Sequence, residues 1–242
     1  AFCAGLESEK EFRVLTNFDG SMSDIVTLAH ELGHAGHFKA CGDAQSILDT
    51  DVSTYFVEAP STMNELLMAN YLKKTNPDKR FKRWVLSSMI SNTYYHNFVT
   101  HFIEAAYQRK VYEIIDNGGS VNASVLSSIM KNTLKEFWGN AVEIDDDAAL
   151  TWMRQPHYYM GLYSYTYSAG LTIATEVSKR IENEGACAIK DWMNVLSAGG
   201  TKTPLELSKM AGVDISTDKP LLNTIATIGE MIDEIYTLTE EL

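Results

Sequence analysis

Apolar residues recur at helical spacing through most of this chain, and only one short segment alternates as a strand would. Ile25, Val26, Leu28, Ala29 and Leu32 line up on a 3.6-residue period, which predicts a helix over about 23–41. Ser23 and Asp24 suit its start and Gly42 its stop. A second helix is expected from Val57 until Asn76-Pro77 ends it, since proline cannot continue the backbone hydrogen-bond ladder. A long helical stretch over about 78–116 closes at the turn signal Asn117-Gly118-Gly119. Further helices are expected at about 123–139, 159–184, 187–198, 203–211 and 220–240, punctuated by Gly161 and by Ala198-Gly199-Gly200. A strand is expected near 11–18. The fold class is therefore mostly α, with a small edge of sheet near the N-terminus.

Inside the first helix the chain spells His30-Glu31-Leu32-Gly33-His34, an H-E-x-x-H motif. On a helix the two histidines lie about one turn apart and roughly 40° apart around the axis, so both imidazoles can reach one metal ion. Glu31 then stands beside the open coordination position. There it can act as general base and acid on a zinc-bound water. The leading expectation is a zinc-dependent hydrolase.

Catalytic zinc takes a third protein ligand. The extended motif that ends in Gly-x-x-His would need glycine at 37 and histidine at 40, where the chain has His37 and Ala40. A carboxylate from the following helix remains, and in the segment Tyr55 to Glu65 the better candidate is Glu58. Glu65, seven residues on, shares its helical face and can fix the tautomer of a ligating imidazole. His37 is expected to pack locally rather than to ligate. His96 and His101 fall among aromatic residues of a long helical stretch, where a satisfied core or surface histidine is the default. The acidic run Glu143 to Asp147 lacks the spacing and glycine of a calcium loop and reads as a solvated loop.

The pair H-E-L-G-H at 30–34 and F-V-E-A-P-S-T-M-N-E at 56–65 resembles the active-site region of the M3 oligopeptidases, the thimet oligopeptidase and oligoendopeptidase F group. Phe12 to Phe18 resembles the edge strand that precedes the zinc helix in that family, and His157 to Gly170 resembles the tyrosine-rich segment of its oligoendopeptidase F branch. The resemblance implies a zincin-like (gluzincin) helical catalytic domain. It implies His30, His34 and Glu58 as ligands of one Zn²⁺ ion and Glu31 as general base and acid. It also implies that His157 and one or two of Tyr163, Tyr165 and Tyr167 stabilise the oxyanion; of these the pair Tyr163 and Tyr167 is preferred on spacing. Tyr163 and Tyr167 stand i, i+4 and share a helical face. Short unstructured oligopeptides are the implied substrates.

Composition narrows the partners. The 242 residues are 45% hydrophobic, enough for one large core, and a formal charge of −12 argues against nucleic acid or an anionic membrane surface. No apolar run is long enough to span a bilayer. Cys3, Cys41 and Cys187 form no paired motif, so a cytoplasmic location is expected. We read residues 1–242 as one catalytic domain from which the family's N-terminal lid is absent. That lid is a possible partner, and the alternative function is a catalytically silent metal- or peptide-binding fragment that needs it. A second alternative is a metal hydrolase that acts on substrates other than peptides, against which the strand at 12–18 argues.

Overall fold

A computed structural model describes residues 1–6 and 11–242. The chain opens with a hairpin: β1 (Phe2–Leu6) pairs antiparallel with β2 (Glu11–Leu15), in a register that sets Phe2 opposite Leu15 and Leu6 opposite Glu11. In β2, Phe12 and Val14 are half-buried while Glu11, Arg13 and Leu15 are exposed, the two-residue alternation of a strand with one face on a support. That support is the helix α1 (Met22–Ala44), whose Phe38 ring lies 6.0 Å from Phe12. The expected strand near 11–18 is thus shorter. Its partner β1 had no alternating signal to announce it.

Helix α1 starts at Ser21, whose hydroxyl accepts from the amide of Asp24. This is two residues earlier than expected. Its far end runs through Gly42 to Ala44, because Gly42 is buried there and Gln45 Nε2 donates to the Ser197 carbonyl. Glycine ends helices where its left-handed freedom is used; Gly42 keeps the helical backbone and ends nothing.

Helix α2 (Glu58–Thr75) carries Pro60 in its first turn, where no amide is needed, and ends at Asn76 as expected. It is the centre of the molecule: Phe56, Ala59, Met63, Leu66 and Ala69 are all buried. On one side lies α1, on the other α6 (Tyr163–Glu184), whose Leu171, Ile173, Ala174 and Val177 fill the same core. Full burial of each larger aliphatic side chain contributes about 1.5–3 kcal/mol. Two glycines make this sandwich possible. A Cβ on Gly33 of α1 would lie 2.5 Å from the Pro60 carbonyl oxygen, and one on Gly170 of α6 would lie 2.8 Å from the Ala59 amide nitrogen.

The stretch expected as one helix over 78–116 divides into three. α3 (Lys79–Ser88) leads into a π-helical stretch, Met89–Thr100, and then into α4 (His101–Asp116). The apolar pattern of a wider helical turn resembles that of an α-helix, so periodicity does not reveal it. α5 (Ala123–Trp138) packs on α4, while α7 (Ala186–Leu196), α8 (Pro204–Met210) and α9 (Lys219–Glu240) close the core with Trp192, Val195, Leu207, Met231 and Leu238. The helix expected from 159 begins at Tyr163; a short 3₁₀ turn, Pro156–Tyr159, precedes it. Gly161 at φ 64° joins the two, a backbone that a Cβ would strain. Glu143, Asp145, Asp146 and Asp147 lie exposed between helices, as a solvated loop should.

Candidate metal centre

Helix α1 carries His30, Glu31 and His34 toward α2, whose first turn presents Glu58. His30 Nε2 lies 3.2 Å and His34 Nε2 3.4 Å from the same oxygen, Glu58 Oε2. Ligand atoms about 2.0–2.1 Å from a tetrahedral ion stand roughly 3.3 Å from one another, so this spacing suits one small cation.

Two turns along α2, Glu65 Oε1 accepts from His30 Nδ1 at 2.7 Å. That hydrogen bond keeps a proton on Nδ1 and leaves Nε2 as the nitrogen that faces Glu58, where a proton or a metal ion can sit between them. Glu65 is itself anchored: Thr93 Oγ1 donates to Oε2 at 2.6 Å and Asn97 Nδ2 to Oε1 at 3.1 Å, both from the π-helical stretch. Glu58, 2% exposed, accepts from Ser61 Oγ at 2.8 Å on Oε2 and from the Tyr163 hydroxyl at 2.7 Å on Oε1.

Electrostatics agree with a site built for a cation. Burial alone would lower the pKa of His30, but its bonds to Glu58 and Glu65 raise it to about 10. Burial alone would raise that of Glu58, yet the two histidines hold its carboxyl well below the usual range. A positive charge therefore belongs between these groups. A proton or a metal ion can supply it, and binding the metal displaces the proton.

Glu31 is buried by its side of α1 but lines a cavity of about 430 Å³, together with His30, Glu65, Asn92, Tyr95, His96 and Tyr167. The hairpin borders the same region. The thiol of Cys3 on β1 is pushed up by burial and by the charge of Glu31.

The aromatic segment arrives from the far side. The His157 ring lies 5.3 Å from that of Tyr163 and 5.8 Å from that of Tyr167. The Tyr163 and Tyr167 hydroxyls stand 3.2 Å apart, and the Tyr167 ring stacks 6.4 Å from that of His30. Burial, followed by the charge of Glu58, raises both phenol pKa values, so both hydroxyls keep their protons at neutral pH. Burial, then the charge of His101, lowers the pKa of His157. Tyr165, the residue passed over, is 42% exposed and lines other clefts beside Phe102. His30, Glu31, His34, Glu58, Glu65, His157, Tyr163 and Tyr167 thus all gather in one place.

The structure adds residues that sequence reasoning did not single out. Thr93, Asn97 and Ser61 act on the carboxylates; Gly33 and Gly170 let the helices approach. His101 is more than a satisfied core histidine. Its Nδ1 bonds Glu104 Oε2 at 3.0 Å and its ring lies 4.3 Å from that of Tyr167, while its Nε2 has no protein partner among the described residues. His101 and Glu104 stand i, i+3 on one helix, a spacing that could have flagged them.

An H-E-x-x-H helix laid against a glutamate-bearing helix in a mostly helical fold brings together His30, His34 and Glu58, a group that could hold a metal ion. The chain belongs to peptidase family M3, whose profile it matches over residues 1–227; members of that family are metallopeptidases. It is 31% identical over 239 residues to an oligoendopeptidase F homolog of Borreliella burgdorferi, covering 97% of this chain and 40% of that protein. It is 26% identical over 225 residues to oligopeptidase PepF of Bacillus subtilis, covering 93% and 33% respectively. The crystal structure of oligoendopeptidase-F from Enterococcus faecium superposes with a TM-score of 0.73 at 25% identity, over 91% of this chain and 40% of that one. The chain therefore spans two-fifths or less of the length of these relatives. No helix of the described residues is long and apolar enough to cross a membrane.

Proposed function

We propose that this chain carries the catalytic centre of a zinc-dependent metalloendopeptidase that hydrolyses short unstructured oligopeptides, with residues 1–242 acting as one catalytic domain. The observation that carries the reading is the convergence of His30 Nε2 and His34 Nε2 on Glu58 Oε2 at 3.2 and 3.4 Å. Two imidazoles and one carboxylate form a donor set suited to catalytic zinc, and His30, His34 and Glu58 would hold the ion. When bound, zinc supplies Lewis-acid chemistry, polarising a carbonyl and making a water more acidic.

The remaining steps belong to the protein. Glu31 takes a proton from the attacking water as its oxygen adds to the scissile carbonyl carbon. It then passes that proton to the leaving nitrogen as the C–N bond breaks. His157, Tyr163 and Tyr167 supply N–H and O–H donors to the oxyanion, Tyr163 by turning its hydroxyl from Glu58; the charge exists only in the tetrahedral state, so their help is greatest there. The proximity of the three rings supports this role, His157 lying 5.3 Å from Tyr163 and 5.8 Å from Tyr167. Glu65 keeps His30 in the ligating tautomer. The charge of −12 supports a function away from nucleic acid, and a cytoplasmic location is part of the same reading.

The two-fifths span of the relatives favours one alternative, a metal- or peptide-binding fragment that is silent until joined by the rest of its protein. Cleavage of a quenched fluorescent peptide pool separates the two, run beside Glu31→Gln, with a chelator and with the N-terminal part of a full-length relative added in trans. We expect cleavage that needs both the metal and Glu31, with turnover in Glu31→Gln lower by roughly 10²-fold or more. Turnover retained in that variant would remove Glu31 as the base. Cleavage seen only after addition in trans would establish the silent fragment.

A further inference from the structure

The segment that carries His157, Tyr163 and Tyr167 is a poor candidate to hold its own shape. It consists of a 3₁₀ turn, a glycine at positive φ and the uncapped first turn of α6. What holds it is α4. His101, Glu104 and Gln108 stand at i, i+3 and i+7, one face of that helix, and are 0%, 4% and 2% exposed. Three polar side chains so deeply buried on one face are costly unless each has a partner.

Their partners lie along the catalytic segment. Gln108 Nε2 donates to the carbonyl of His157 at 3.2 Å and to that of Gly161 at 2.6 Å, gripping both ends of the turn. Glu104 Oε2 accepts from Ser164 Oγ at 2.8 Å, in the first turn of α6, and from His101 Nδ1 at 3.0 Å. His101 then sets its ring 4.3 Å from Tyr167 and, edge to face, 5.7 Å from His157. One helix face thus touches the segment at 157, 161, 164 and 167.

We propose that the buried stripe His101, Glu104 and Gln108 is a positioning device. It holds the 157–167 segment so that His157 and the two tyrosines face the metal centre, and it touches neither substrate nor metal. This rests on the peptidase reading for its effect on turnover, although the clamp itself does not. His101, Glu104 and His157 also form a second group of ligand-type atoms within 4.8 Å of one another. In that group His101 Nδ1 and Ser164 already share Glu104 Oε2, which favours a hydrogen-bonded clamp over a second cation site.

The test uses the full-length zinc-loaded protein with Gln108→Met and the isosteric Glu104→Gln. Amide hydrogen exchange over 156–163, zinc content, kcat and KM are measured on each. We expect faster exchange over 156–163 with exchange in α1 and α2 unchanged, and zinc retained. We also expect kcat lower by roughly 10- to 100-fold, the effect of an ångström-scale misplacement, with KM little changed. His101→Asn keeps an N–H for Glu104 and should retain more turnover than His101→Leu, a rescue that a merely space-filling role would not give. Unchanged exchange over 156–163 in both variants overturns the clamp. Faster exchange with wild-type kcat, or a change confined to KM, overturns its role in turnover. A wild-type protein that cleaves no peptide refutes the peptidase reading, and the exchange experiment still decides the clamp. Loss of zinc from Glu104→Gln would make these residues part of the metal site and overturn the proposal as well.

Discussion

His37 stands one short turn beyond His34, yet the two side chains have opposite surroundings. His34 turns toward Glu58, whereas His37 lies in the core, its ring 6.0 Å from that of Phe38 and 6.4 Å from that of Phe56, with neither nitrogen paired among the described residues. Burial, then the charge of His34, lowers its pKa to about 3. The unfolded chain titrates near pH 6.5. Above that pH His37 is neutral in both states and contributes nothing to the pH dependence. As pH falls below it, only the unfolded state gains the proton, so stability is lost, by about 2 kcal/mol at pH 5. Urea unfolding at pH 7 and pH 5 should show this loss, and His37→Leu should blunt it. An equal loss in the variant would assign the acid sensitivity elsewhere.

At the scale of elements, the metal centre depends on how closely α1 and α6 approach α2. Gly33 is the fourth residue of the H-E-x-x-H motif and meets the backbone of Pro60 and Ser61, so a methyl group there has no flexible side chain to displace. Gly36 lies on the same helix with open space around its missing Cβ. Gly33→Ala should therefore push α1 from α2 and overpack the contact, at a cost of about 1–3 kcal/mol. It should weaken zinc binding at least several-fold in competition with a chelator, because both histidines ride on α1. Gly36→Ala should leave zinc affinity unchanged and raise stability by about 0.5–1 kcal/mol. Equal zinc affinity in the two variants would show that helix spacing does not control the site. Elsewhere, spacing foretold most helices to within a few residues, because burial of one face imposes the 3.6-residue period. It could not foretell β1, five residues without alternation, or the π-helical stretch, whose apolar residues also satisfy an α-helical pattern.

For the whole molecule, the proposed ion would join α1 to α2 at the centre of the fold, so its removal should be felt globally. A ligand bound only by the native state stabilises it by about 4 kcal/mol at a concentration a thousand times its Kd. At roughly 2–4 °C per kcal/mol for a chain of this size, chelation should lower Tm by about 8–16 °C. Glu58→Ala should already melt low and respond little to the chelator. A wild-type Tm that chelation does not move would mean that these helices hold together without the ion.

The amino-acid order by itself determined what depends on near neighbours. Two histidines four residues apart share a helix face, a glutamate and another seven residues on share a second, and tyrosines at 163 and 167 share a third. Helical geometry makes these relations independent of the rest of the chain. Only the tertiary structure decided how the faces meet: that Glu58 and the two imidazoles converge, that Thr93 and Asn97 from a π-helical stretch anchor Glu65, and that α4 grips the segment bearing His157. These contacts join residues tens of positions apart, and they follow from the packing of whole helices at close approach, which no local period encodes.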